Sequence, residues 1–388
     1  NGTVTTVAGN GEKGCPQEGA VATHSPLGVI TAMAASADGT VYFTIYDCVY
    51  LYRLDPDGFI RVTAGSPGGY PYGWPLPQAA APANDMQIVS VRALIVDNAN
   101  QPAVGFADRI VAINRDGVAM RIAGSADAME SIRQGDVNKV WFGDLSSAAS
   151  ISDGSIAVGL DGRNSLRQTG AEIGIISPDG TYRILASRDG FAGTQALYFN
   201  SAPLIPTRVR VDPQGNLYFL DSISGLIFHL PATGAPVIHV GASARPPEYS
   251  LTAVPPVFRG FIQAGPAADA QGNLYFAAAN KLFRMAPGGA ITHIAGSGAS
   301  TGSPDGTPPL EANLSFSGHL GIDGQANLYW WDGRELFRRL SPQGALTTAL
   351  GGGAGFGFVE GQRATDLGFQ HNRPTLIGVS SIGEVFYW

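Results

Sequence analysis

The sequence predicts an all-β fold built from one repeating unit, and three observations predict it. A glycine turn followed by an alternating strand recurs at a nearly constant interval, other strand-like segments keep a fixed order between its copies, and the composition favours turns. The 388 residues include 52 glycines and 26 prolines but only 14% charged side chains. That is too apolar for disorder and too rich in turn formers for a helical protein.

The repeating segment reads NGTVTTVAG, DPDGFIRVTAG, NRDGVAMRIAG, SPDGTYRILAS, PATGAPVIHVG, APGGAITHIAG and SPQGALTTALG. Its turn glycines are Gly2, Gly58, Gly117, Gly180, Gly234, Gly289 and Gly344, spaced 54 to 63 residues apart. Regular self-similarity of this kind marks one supersecondary unit used repeatedly.

A second glycine turn opens another strand within most periods, as DGTVYF from Asp38, DGSIAV from Asp153, QGNLYF from Gln214 and Gln271, and QANLYW from Gln325. A third strand precedes each copy of the first turn, as in VYLYRL, RIVAIN, EIGIIS, GLIFHL and ELFRRL. A fourth is rich in small residues, as in TAMAAS and SSAASIS. Four short antiparallel strands per period, the small-residue strand innermost where strands crowd an axis, describe the blade of a β-propeller. The expected fold is a seven-bladed β-propeller of four-stranded antiparallel blades forming a single domain over 1–388. Its seventh blade would be joined from the C-terminal inner strands and the N-terminal outer strand, one strand short.

The run TTVAGNGEKGCPQEGAVATHSPLGV, the later ITHIAGSGASTGSPDGTPPLEANLSFSGHLGIDGQANLYWWD and PQGNLYFLD carry a family resemblance. The chain resembles NHL-repeat propellers, and in texture the secreted bacterial members. The resemblance implies a propeller in an extracellular or cell-surface setting. It does not imply one activity, because NHL propellers include protein-binding, RNA-binding and catalytic members.

Charge argues against nucleic acid. The net charge is −7, and lysine occurs only at Lys13, Lys139 and Lys281, so no basic run exists to follow a phosphate backbone. No apolar stretch approaches the length of a membrane helix. A chain starting at Asn1 is expected of a processed product without its signal peptide. Cys15 and Cys48 are the only cysteines. They fall in the first long loop and in the turn between the second and third strands of the same blade, two connections on one face, so a disulfide between them is expected.

Sites are expected where long loops gather on one face, at about 10–28, 66–88, 125–143, 188–205, 242–260, 298–316 and 352–373. Arg208, Arg210 and His319 are the only ionisable residues at channel-facing positions of the inner strands, and they suggest an anion-binding channel, with Asp144 as a possible internal counter-charge. Tyr70, Tyr72 and Trp74, together with Trp141, offer rings for stacking on a sugar or gripping a partner. Arg373, in the last long loop, completes the binding candidates. The six histidines are scattered without zinc-ligand spacing, so no metal and no cofactor are expected.

The function expected is a non-enzymatic, secreted or surface-displayed binding or assembly module. Its partner would be a protein or a second copy, engaged through the long-loop face or the open edge of the seventh blade. A glycan or small anion in the channel is a further expectation. The alternatives are a lyase or lactone hydrolase at the channel mouth, built on Arg208, Arg210 and His319, and a carbohydrate-binding propeller using the loop aromatics.

Overall fold

A computed structural model describes residues 2–69, 80–125, 134–140, 142–143, 145–160, 172–187, 190–191, 206–211, 215–221, 226–230, 237–242, 249–250, 257–258, 262–287, 290–317, 319–353, 359–369, 376–380 and 382–387. Regular structure among them is β-strand and short 3-10 turns. The chain divides into two compact units, Thr6–Val209 and Arg210–Trp388 with Asn1–Thr5.

In the Thr6–Val209 unit the first sheet contains β1 (Ala20–Val21), β2 (Ile30–Ala35), β3 (Val41–Ile45), β4 (Leu51–Leu54) and β5 (Phe59–Ala64), in the order β1-β5-β4-β3-β2. The β2–β3 and β4–β5 hairpins are each set by an Asp-Gly turn, at Asp38-Gly39 and Asp57-Gly58. At the second of them Gly58 takes a φ of +83° and the Asp57 carboxylate accepts the Phe59 N–H at 3.1 Å, replacing a ladder bond that the turn cannot make. The next sheet repeats the order with β6 (Ala81–Pro82), β7 (Ala93–Val96), β8 (Pro102–Gly105), β9 (Ile110–Ile113) and β10 (Val118–Ala123). The third has β11 (Gly135–Asp136), β12 (Leu145–Ser150), β13 (Ile156–Leu160), β14 (Glu172–Ile176) and β15 (Thr181–Ser187), with β16 (Gly190–Phe191) paired to β15.

The inner strands β2, β7 and β12 are neighbours. Between the first two sheets lie Leu51, Ala64, Met86, Val104 and Val111, and between the next two lie Ile110, Val140, Leu145, Val158 and Tyr182. Burying each large apolar side chain of this kind is worth roughly 1.5–3 kcal/mol, so face-to-face sheet packing is the main stabilising term. The alternating pattern read from the sequence places one side of each strand in each of these layers.

A further sheet holds β17 (Pro206–Val211), β18 (Leu217–Asp221), β19 (Leu226–Leu230), β20 (Val237–Ala242), β21 (Tyr249–Ser250) and β22 (Val257–Phe258), with β20 and β22 parallel. In the second unit, β23 (Ile262–Ala268), β24 (Leu274–Ala278), β25 (Lys281–Met285) and β26 (Ile291–Ala295) form one four-stranded antiparallel sheet. β27 (Leu320–Ile322), β28 (Leu328–Trp331), β29 (Leu336–Leu340) and β30 (Leu346–Gly351) form another. Trp330 is fully buried between them with Phe316, Leu314 and Leu346.

The recurring N-L-Y of the second strands has a physical reason. Asp323 Oδ2 accepts from Asn327 Nδ2 at 2.7 Å and from the Tyr329 hydroxyl at 3.1 Å, and Asp269 holds Asn273 and Tyr275 the same way at 2.8 and 3.0 Å. A buried carboxylate with this many donors is satisfied without a counter-ion. Burial and then the facing carboxylate push both tyrosines up to about 12.

The expectation of seven four-stranded blades is overturned. Five sheets carry the blade form, with four or five strands in line: 20–64, 81–123, 135–187, 262–295 and 320–351. The 206–258 sheet departs from it with six strands and a parallel pairing, and the last sheet is a two-stranded ladder of β31 (Leu376–Val379) and β32 (Val385–Tyr387). No N-terminal strand joins that ladder among the described residues. Thr3 instead makes an isolated antiparallel bridge with Arg363. A glycine period counts turns, but it does not count strands per sheet, and the two-residue strands β1, β6 and β11 are too short to leave a periodic signal.

Candidate functional site

The long loops are built on a repeated device. Three of them contain a two-residue strand followed at once by a 3-10 turn, at 22–24, 83–85 and 137–139, and further 3-10 turns stand at 309–311 and 364–366. The glycine that follows an outer strand donates its N–H to the first residue of the turn, Gly65 to Ala83 at 3.0 Å, Gly124 to Val137 at 3.1 Å and Gly296 to Pro309 at 2.8 Å, and Gly9, which follows no strand among the described residues, donates likewise to Ala22 at 2.9 Å. In the first unit the turn also donates to the hairpin glycine, Ala22 to Gly58 at 2.9 Å, Ala83 to Gly117 at 2.7 Å and Val137 to Gly180 at 3.0 Å. Each loop is therefore fastened at two points to the outer edge of a sheet.

This geometry explains the Ala-Gly that closes the repeating segment. Ala64, Ala123 and Ala295 are buried in the layer between sheets. Gly65, Gly124 and Gly296 have φ near +100°, and a Cβ at any of them would lie within 2.4 Å of a backbone oxygen. Only glycine fits there.

Side chains add clamps between a sheet and the loop preceding it. Cys48, buried in the turn between β3 and β4, is disulfide-bonded to Cys15 in the 10–28 loop, with Cα atoms 5.8 Å apart. The sequence expectation for this pair is met. Glu18 of the same loop accepts the Val62 N–H of β5. In the 320–351 sheet the fastening is ionic: Arg338 donates to the Ser303 carbonyl at 2.9 Å and lies 3.1 Å from Asp305, while Arg334 donates to the Thr301 carbonyl. Asp305 also accepts the Thr348 N–H and hydroxyl, both at 2.9 Å. Gly19 donates to the Ile60 carbonyl and Gly306 to the Leu346 carbonyl, each at 2.9 Å. Glu18 and Asp305 hence hold the same place in their repeats.

Other sequence candidates fall elsewhere. Tyr70, Tyr72, Trp74, Trp141, Asp144 and Arg373 lie outside the described residues. Arg208 and Arg210 lie on β17. His319 is exposed and immediately precedes β27 rather than lying on it. Among the described residues no group of three His, Cys, Asp or Glu could hold a metal ion, and no helix is long and apolar enough to cross a membrane. Sequence reasoning missed the 3-10 turns and the carboxylate clamps. Their signal is an acidic residue directly before a glycine in the loop, Glu18-Gly19 and Asp305-Gly306.

Comparison with solved structures decides the architecture. A catalytically inactive H270A virginiamycin B lyase from Staphylococcus aureus with quinupristin aligns over 92% of this chain and 91% of its own, with a TM-score of 0.52 and 13% identity. The chain has the β-propeller fold. A streptogramin B lyase covers 92% of this propeller and 89% of its own chain, with a TM-score of 0.50 and 15% identity. At these identities the likeness concerns the fold. No family model matches the propeller, and no curated protein sequence matches it.

Proposed function

We propose that this propeller is an extracellular binding module that presents its fastened long loops to a protein or glycan partner. The observation that carries this reading is the double anchoring of the loops to the sheet edges, reinforced by the Cys15–Cys48 disulfide and the Asp305 clamp. Loops held this way lose little conformational freedom on binding, which raises affinity without added contact area. The disulfide fits an oxidising compartment, and the net charge of −7 leaves no basic surface for nucleic acid. Tyr70, Tyr72 and Trp74 supply the stacking rings in this proposal.

The test is a glycan array and a panel of extracellular proteins probed with the wild type, with a Tyr72→Ala/Trp74→Ala variant, and with Phe59→Ala in an outer strand. Binding lost only in the loop variant supports the reading. Binding retained by the loop variant, or absent throughout, contradicts it.

A second reading is a lyase or lactone hydrolase using Arg208, Arg210 and His319. The lyases among the fold neighbours are what favour it. Stoichiometric metal in the purified protein, found by elemental analysis and lost in His319→Ala, supports this reading over the first.

A further inference from the structure

In three sheets the residue two places after the hairpin glycine lies directly opposite the last residue of the third strand: Ala119 opposite Ile113, Tyr182 opposite Ile176 and Leu346 opposite Leu340. Ile113, Ile176 and Leu340 are each buried in the layer shared with the preceding sheet. The segment from Gly2 repeats the outer side of this arrangement. Gly2 accepts the Ala364 N–H at 2.9 Å, as Gly58, Gly117 and Gly180 accept from their 3-10 turns, and Thr3 bridges Arg363 as Phe59 pairs with Val21 and Val118 with Pro82. Val4 accepts from Gly361 at 3.0 Å, as Ile60 does from Gly19 at 2.9 Å. Val4 is therefore the counterpart of Ala119, Tyr182 and Leu346.

The inner side is present as well. Val379 pairs with Val385 as Ile322 does with Leu328, and Val385 and Tyr387 share an apolar layer with Val4, Phe337 and Phe369. In the neighbouring ladder Leu340 stands between Leu328 and Leu346. The matching place, between Val385 and Val4, is held by no strand among the described residues, where β32 pairs with β31 and residues 2–5 with the 361–364 segment. Exposure follows this difference. Val4 is 9% exposed and its three counterparts at most 1%, while Val385 and Tyr387 are half-buried where Leu328 and Trp330 are buried.

We propose that the place between β32 and residues 2–5 is a docking slot for an extended segment of a partner protein, which enters as a third strand carrying a basic residue followed by an aliphatic one. The aliphatic requirement comes from the other third strands: LYRL, IVAI, EIGII, KLFRM and LFRRL all end on Leu, Ile or Met. The basic requirement is one of charge complementarity. Arg339, just before Leu340, donates to Asn327 Oδ1 at 2.9 Å, and at the place of Asn327 the last ladder has the exposed Glu384, whose carbonyl accepts from Ser380 as that of Asn327 does from Asp323. An unpaired strand edge over an apolar layer is a template for strand addition, in which backbone bonds give affinity and side-chain places give specificity. The slot lies wholly in the unit formed by Arg210–Trp388 with Asn1–Thr5 and is independent of the loop-face partner proposed above.

The probe is a fluorescent synthetic peptide copying residues 335–341, followed by anisotropy against the whole protein. Saturable binding is expected, weakened about tenfold or more by Leu340→Asp in the peptide, since that change removes one buried aliphatic side chain. Glu384→Lys, an exposed change that leaves the fold intact, should weaken the parent peptide and strengthen the Arg339→Glu peptide. Hydrogen exchange at 385–387 should slow when the parent peptide is added. No saturable binding, equal binding of the Leu340→Asp peptide, or indifference to Glu384→Lys overturns the proposal. So does full protection of the β32 amides before any peptide is added, because the protein's own chain would then fill the slot.

Discussion

Asp305 Oδ1 lies 3.1 Å from Arg338 Nη2, so a half-exposed carboxylate on a long loop neutralises a guanidinium buried in a sheet. The same carboxylate accepts two hydrogen bonds from Thr348. One side chain thus fixes a loop to both outer strands beneath it. Asp305→Ala is expected to lower stability by about 2 kcal/mol, between the values for an exposed pair and for a fully buried one, because Arg338 is buried and Asp305 half solvated. In urea unfolding, the double variant Asp305→Ala/Arg338→Met should recover part of that loss, since it no longer buries an uncompensated charge. A loss that is simply additive in the double variant would show that the two residues do not act as a pair.

The Cys15–Cys48 disulfide closes a span of 33 residues. In the chain-entropy account a loop of that length is worth roughly 3–4 kcal/mol. The Cys15→Ser/Cys48→Ser variant should lose about that much in a denaturant titration. Added reductant should lower the stability of the wild type and leave the variant unchanged.

Glycines that share a positive φ should differ in tolerance. Gly117 has a φ of +72° and nothing within 4 Å of a built Cβ, so Gly117→Ala should cost only about 1–2 kcal/mol, the left-handed penalty itself. At Gly296 the Cβ would stand 2.4 Å from the Asn280 carbonyl oxygen. Gly296→Ala must also displace backbone and break the bond to Pro309, so it should cost several times more and release the 298–316 loop to protease.

Tyr275 and Tyr329 predict an alkaline limit to stability. Their folded pKa values are raised from 10.0 to about 12. The folded state therefore holds these protons more tightly than the unfolded state does, and the stability this brings is complete below about pH 10 and lost as pH rises toward 12. Unfolding monitored between pH 9 and 12 should show this fall, reduced in Tyr275→Phe/Tyr329→Phe. Tyrosinate absorbance from these two residues should rise with unfolding rather than before it.

Much of the strand order was legible in the sequence, because a glycine hairpin and a two-residue alternation both leave local signals. DGFIRVTAG, DGVAMRIAG and DGTYRILAS name β5, β10 and β15, and QGNLYF and QANLYW name β24 and β28, whereas the Asp-Asn-Tyr staple beneath the last two was not read from them. Blade number was not legible. The parallel β20–β22 pairing and the two-stranded 376–387 ladder depend on contacts between distant segments, which no local pattern records. The loop anchors fell between these cases: Gly65 and Gly124 were visible as punctuation, but the partners Ala83 and Val137 sit in stretches with no periodicity. The Cys15–Cys48 bridge was readable because placing two strands also places their connecting turns. The Asp305–Arg338 clamp was not, since it needs the cross-strand register of β29 and β30.

Fastened loops are the core of this account, and native-state hydrogen exchange tests them most directly. The amides of Gly9, Gly65, Gly124 and Gly296 should exchange as slowly as the ladder amides of β4, β9 and β25, with Gly9 alone accelerated when the Cys15–Cys48 disulfide is reduced. Exchange of all four at the rate of an unstructured chain, unaffected by reductant, would contradict the claim that the long loops are part of the rigid scaffold.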